Sequence, residues 1–129
     1  MDGAPLAVAL APDERALVLH FWATWCPDCI EELPVLVAAA RRCDRSHVRV
    51  LLVNTGEAPE VAQTFLDEHH IRASVVLDRK GKVWRSVAPA GLPANVTWTS
   101  DGLRTEVGPR TAEAWTHTLA ALGCAQDPQ

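Results

Sequence analysis

Cys26 and Cys29, with Pro27 and Asp28 between them, are the residues of this sequence best suited to chemistry. A close thiol pair can cycle between dithiol and disulfide, and the attacking species in that cycle is a thiolate. A helix N-terminus supplies the required field, because its unpaired N–H groups and its dipole favour an anion. The pair stands where an apolar run, Ala16–Trp22, gives way to Ile30, Leu33, Leu36, Val37 and Ala40 at spacings of three and four. A C-x-x-C where a strand enters a helix is read as redox-active. Cys26, at the helix start, is the expected nucleophile. Cys29, one turn deeper, is the expected resolving thiol. Pro27 fits a first turn without losing a helix bond. Asp28 sets a negative charge beside both sulfurs and opposes thiolate formation. The competing readings are a static disulfide and half of a zinc site. Zinc needs about four ligands, and neither a second C-x-x-C nor an H-x-x-x-H is present. No metal is expected at the pair.

The elements around the pair follow from periodicity and turn residues. Ala16–Trp22 lacks alternation, as in a strand buried on both faces of a parallel sheet. A helix follows from Cys26, with Glu31 and Glu32 early and Arg41 and Arg42 late, in accord with its dipole; Pro34 inside it is expected to kink it. Val48 to Asn54 reads as a second buried strand. A helix starts near Pro59 and ends around His69 and His70, which complement its C-terminus. Ser74 to Leu77 reads as a short strand, Asp78 to Gly81 as a turn and Val83 to Val87 as a brief helix. Ala94–Thr99 and Leu103–Val107 form a hairpin around Ser100, Asp101 and Gly102. Thr111 caps a last helix running through Leu122. The order β-α-β-α-β-α-β-β-α implies an α/β fold, a mixed sheet with helices on both faces. Leu6 to Ala11 reads as an early strand rather than a targeting peptide, since no basic leader precedes it.

Composition narrows the function. The chain has 129 residues, 48% of them hydrophobic and 22% charged, which suits one globular unit over 1–129 and excludes a disordered or fibrous chain. The net charge of −4, with no basic stripe, disfavours nucleic acid as a partner. No apolar run approaches the ~20 residues of a membrane-spanning helix.

The stretch Phe21-Trp22-Ala23-Thr24-Trp25-Cys26-Pro27-Asp28-Cys29 resembles the TlpA/ResA/DsbE-type thiol–disulfide oxidoreductases of the thioredoxin superfamily. Glu31-Glu32-Leu33-Pro34 continues the resemblance, Val53 to Glu57 is similar to a strand end and loop of the ResA branch, and Gly91-Leu92-Pro93 is similar to the family's cis-proline loop. The likeness covers about residues 16–122. It implies a thioredoxin-like three-layer α/β/α sandwich with a mixed central sheet. It implies that Pro93 is cis and faces the redox pair in a loop, with Leu92, that binds extended substrate. It implies that Glu57 tunes the thiols. Members of the family are mostly exported and often membrane-tethered, so a periplasmic or other extracytoplasmic location is expected. They act as protein-disulfide reductases, many in cytochrome c maturation. Their electrons come from a membrane thiol donor, and a monomer without cofactor is expected. Trp25 is expected to form an apolar docking rim, whereas Trp22, Trp84, Trp98 and Trp115 are expected to pack inside. Where the family usually has Thr-Thr-Phe-Leu-Ile after the proline, this chain has Ala94-Asn95-Val96-Thr97-Trp98, which is more polar and wider. A cytosolic thioredoxin-related reductase, and a metallochaperone holding copper or zinc through the cysteine pair, remain as alternatives.

His20 falls, by its spacing from Cys26, where thioredoxins carry a buried Asp beneath the resolving cysteine. It reads either as the proton acceptor for Cys29, paired with Glu57 and poised near neutral pH, or as a neutral core histidine. Glu57 reads alternatively as an ordinary loop carboxylate. In the implied fold the first and last helices share a face, so Cys43 and Cys124 read either as a disulfide or as two independent thiols.

Overall fold

The computed structural model describes residues 13–43, 46–87 and 91–124, and the strand expected at Leu6 to Ala11 lies outside them. The elements follow in the order β1 (Ala16–Trp22), α1 (Pro27–Ala40), a 3-10 turn (Arg41–Cys43), β2 (Val48–Thr55), α2 (Pro59–Glu68), β3 (Val75–Asp78), α3 (Lys82–Val87), β4 (Ala94–Thr99), β5 (Gly102–Val107) and α4 (Ala112–Leu122). Five strands make one mixed sheet in the order β3-β2-β1-β4-β5. β1 pairs in parallel with β2 and antiparallel with β4, so it is the central strand. All seven of its residues are buried, which explains the missing alternation.

The sheet separates two apolar layers. On one side Ala16, Val18 and Trp22 of β1 meet Leu33 and Leu36 of α1, Phe65 and Leu66 of α2, and Trp115 and Leu119 of α4. On the other, Leu17, Leu19 and Phe21 meet Val83, Trp84 and Val87 of α3. Helices therefore cover both faces, as the element order implies. Trp22 and Trp115 are fully buried, whereas Trp84 of α3 and Trp98 of β4 pack against the second layer and are half-buried.

The element ends have local causes. Thr111 Oγ1 accepts the Ala114 N–H at 3.1 Å and starts α4, while Gly123, at φ 114°, ends it in a left-handed conformation. Asp78 accepts the N–H groups of Val83 and Trp84 at 3.1 and 3.0 Å, and so starts α3. The Thr55 hydroxyl donates to the same carboxylate at 2.8 Å, which carries β2 one residue beyond its expected end. α1 runs from Pro27 to Ala40 through Pro34 as one element.

Cys43 and Cys124 form a disulfide, with Cα atoms 4.5 Å apart and both residues buried. It ties the end of α1 to the end of α4 across 81 residues. Closing a loop of that length is worth about 4 kcal/mol in the chain-entropy account. Replacing both cysteines with alanine should lower the unfolding free energy by roughly that amount in urea. A loss below about 1 kcal/mol would show that helix packing alone holds this end.

Candidate active site

The reactive pair sits where β1 hands over to α1. The chain leaves the sheet at Trp22 and turns through Ala23 to Trp25, and Cys26 takes the N-cap position of α1. Its extended backbone aims Sγ over the first turn, where Sγ accepts the Cys29 N–H at 3.3 Å. A helix start leaves N–H groups without internal partners, and an oxygen of Ser, Thr, Asp or Asn usually takes one. Here a sulfur does so, and the helix field falls on the reactive atom. Cys26 and Cys29 are joined as a disulfide, with Cα atoms 5.2 Å apart. Both are buried, whereas the neighbouring Trp25 is 68% exposed. Pro27 is the first helical residue, and Pro27 and Asp28 are exposed.

Glu57 reaches the handover loop from the loop after β2. Its carboxylate accepts the Thr24 N–H at 2.8 Å, the Thr24 hydroxyl at 2.5 Å and the Asn54 side-chain amide at 2.9 Å. Glu57 is thus bonded to the backbone that precedes Cys26, and the acid nearest His20 is a different residue. The Leu92–Pro93 peptide is cis, as the resemblance implies. Its loop is fixed by Trp84 Nε1 donating to the Gly91 carbonyl at 3.1 Å and by Gly108 N–H donating to the Pro93 carbonyl at 2.8 Å.

His20 lies wholly buried on the α1–α4 side of β1, directly opposite Asn95 of β4. Its Nδ1 is 2.8 Å from Asn95 Oδ1. An amide oxygen only accepts, so Nδ1–H is the tautomer that satisfies this contact; the Asn95 side-chain NH2 is buried with no partner among the described residues. Nε2 faces Glu32 Oε1 at 3.9 Å. The other carboxylate oxygen of Glu32 accepts Trp115 Nε1 at 2.6 Å and the Arg110 N–H at 3.0 Å. The Arg110 guanidinium lies 4.8 Å from the Trp115 ring centre. Burial pushes His20 down to about 4, with the Asn95 bond opposing and Arg110 assisting. The expectation of a His20 poised near neutrality and paired with Glu57 is therefore corrected, since dehydration keeps the ring uncharged. Burial raises Glu32 above the usual carboxylate range, against the bonds from Trp115 and Arg110.

Glu32, Asn95 and Arg110 are the site residues that sequence reasoning missed. Glu32 was legible in part, for it lies three residues after Cys29 and four before Leu36, on the inward stripe of α1. The 3% exposure of this acid was not legible, because its partners come from distant chain. Among the described residues no group of three or more His, Cys, Asp or Glu is placed to hold a metal ion.

The profile of the AhpC/TSA family matches residues 2–94. The sporulation thiol-disulfide oxidoreductase A of Bacillus subtilis is 30% identical over 101 residues, covering 74% of this chain and 61% of that protein. The thiol-disulfide oxidoreductase ResA of the same organism is 26% identical over 88 residues, covering 68% of this chain and 49% of that one. The chain thus spans about half to three-fifths of the length of these curated relatives. The crystal structure of StoA from Bacillus subtilis superposes with a TM-score of 0.71 at 27% identity, covering 82% of this chain and 84% of that one. The fold is thioredoxin-like.

Two outcomes are expected. The folded-state pKa of His20 is below its unfolded value, so its contribution to stability is complete above about pH 6.5 and is lost as pH falls toward 4. That loss is worth about 3 kcal/mol, and His20→Asn should remove most of it. Urea unfolding at neutral and acid pH measures this, and equal acid losses in both proteins would exonerate His20. Glu57→Ala should cost about 2 kcal/mol and speed hydrogen exchange at the Thr24 amide, and an unchanged Thr24 rate would refute the clamp.

Proposed function

The chain belongs to the AhpC/TSA family, and from that premise we propose that it is a thiol–disulfide oxidoreductase, working mainly as a protein-disulfide reductase. The observation that carries this reading is the sulfur of Cys26 at the N-cap of α1, bonded to Cys29 and accepting its N–H. In the reduced protein the Cys26 thiolate, held by that N–H and the helix field, attacks one sulfur of a substrate disulfide. The other substrate sulfur leaves as a thiolate with the bond's electron pair. Cys29 then gives up its proton and attacks Cys26 Sγ. The internal disulfide re-forms and the second substrate sulfur departs with two electrons transferred in all.

His20 and Glu32 together form the proton-accepting group for Cys29, with His20 neutral at working pH. Glu57 acts through Thr24, by holding the loop that presents Cys26. Trp25, Pro27, Leu92 and Pro93 make the surface against which an extended protein segment docks. The exposure of Trp25 supports that rim, and the ties on the Gly91–Pro93 loop support a rigid platform. A membrane thiol donor re-reduces the pair, and the protein works as a monomer in an extracytoplasmic compartment. The buried Cys43–Cys124 disulfide supports that location, since such bonds persist where the environment is oxidising.

Thiol trapping against a dithiothreitol buffer tests the direction of flow. A reductase should have a Cys26–Cys29 potential near thioredoxin's ~−270 mV. A value near ~−120 mV, that of a strong oxidant, would overturn the reductase reading in favour of disulfide donation. Cys29→Ser should accumulate the mixed disulfide with a protein substrate, and Cys26→Ser should form none.

A further inference from the structure

Two buried polar atoms face one another in the layer between β1 and α1: His20 Nε2 and Glu32 Oε1, 3.9 Å apart, each without a hydrogen-bond partner among the described residues. Their companion atoms are already engaged. His20 Nδ1 is bonded to Asn95 Oδ1, and Glu32 Oε2 accepts from Trp115 and Arg110. A buried acceptor facing a buried acceptor is repulsive, and leaving either unpaired costs about 1–3 kcal/mol. We propose that Asn95 is a positioning residue: it holds His20 as the Nδ1–H tautomer, so that the bare Nε2 accepts a hydrogen bond from a protonated Glu32 Oε1–H, and the couple holds that one proton on the carboxyl in the oxidised protein.

The alternatives fail on the same atoms. With the hydrogen on Nε2 instead, the lone pair of Nδ1 would meet the amide oxygen of Asn95 at 2.8 Å; only a turned-over Asn95 amide would permit that tautomer, and it would be read directly as Nε2–H. A doubly protonated ring beside an ionised Glu32 would need two buried charges in a layer that otherwise holds Trp22, Leu33 and Leu36. One proton on the carboxyl satisfies both facing atoms without net charge. Rotation of the Glu32 side chain by about 1 Å brings the pair to ordinary O–H···N length. The charges bearing on Glu32 are the Arg110 guanidinium, from the segment before α4, and Asp28 of its own helix; they act in opposite directions. Burial favours the neutral form of both members. Asn95 stands directly opposite His20 in the strand register, so the polar residue of β4 answers the polar residue of β1.

This assignment deepens the proton-handling step of the proposed function and rests on that function only for its purpose. Its test needs no turnover. Long-range proton–nitrogen NMR of the oxidised, 15N-labelled chain at pH 7 should find His20 protonated at Nδ1 and bare at Nε2. Infrared spectra should contain a protonated-carboxyl C=O band that Glu32→Gln abolishes. Asn95→Leu should move the hydrogen to Nε2 and abolish that band, while Asn95→Asp, which keeps an accepting oxygen, should retain Nδ1–H. An Nε2–H or doubly protonated ring in the unmodified protein, or no band from Glu32, would overturn the proposal. So would a folded Asn95→Leu protein with an unchanged tautomer. If that variant does not fold, loss of Nδ1–H in Asn95→Asp decides against it. A chain inactive as a reductase that still has the Nδ1–H ring would defeat the proposed function and leave this assignment standing.

Discussion

A carboxyl group inside an apolar layer is costly unless its oxygens are bonded, and the packing of α1 against α4 is arranged around meeting that demand at Glu32. One oxygen takes the indole of Trp115 from α4 and the backbone N–H of Arg110 from the segment before it. The other is turned toward His20 of the central strand. A single side chain therefore relates the redox helix, the last helix and the middle of the sheet. The Arg110 guanidinium adds a charge over the Trp115 ring, and its bond to the Thr118 hydroxyl at 3.3 Å ties it to the next turn of α4. Hydrophobic burial supplies the bulk of the driving force here. The polar contacts decide how one helix is rotated against the other.

The same division of labour holds at the start of α1. The apolar layers fix where β1 ends, but they do not fix the direction in which the chain leaves it. That direction is set by Thr24, gripped twice by Glu57, with Asn54 bracing the carboxylate from the end of β2. A short loop held by two hydrogen bonds to a braced carboxylate loses little freedom when a partner arrives, which lowers the ordering cost of docking. Trp25 stands exposed on that fixed loop.

What the sequence revealed and what it hid divide along chain distance. The Cys26–Cys29 motif, the strand Ala16–Trp22 and the Thr111 cap are written in adjacent residues, so local patterns disclose them, whereas the cis-proline loop was legible only through the family resemblance. Glu32 looks like an ordinary acid early in a helix because the residues that make it an interior group lie 78 and 83 positions away. His20 was visible as an anomaly, but its ionisation depends on burial and on Asn95, 75 positions away. Glu57 suggested thiol tuning by resemblance, and what the sequence could not give is that its carboxylate holds Thr24. Strand ends differ by a residue from expectation where a side chain intervenes, as Thr55 and Asp78 do between β2 and β3.

The Cys43–Cys124 link divides the molecule topologically into a ring and a tail. The ring contains β2 through α4; the tail contains β1 and α1. The central strand thus belongs to the tail, and both of its neighbours, β2 and β4, belong to the ring. Among the described residues, the ring's strands pair as β2–β3 and β4–β5, two ribbons with no ladder between them. Only insertion of the tail's strand joins them into one sheet. The segment that carries the reactive sulfurs is therefore also the keystone of the sheet, and the covalent circle cannot complete that sheet without it.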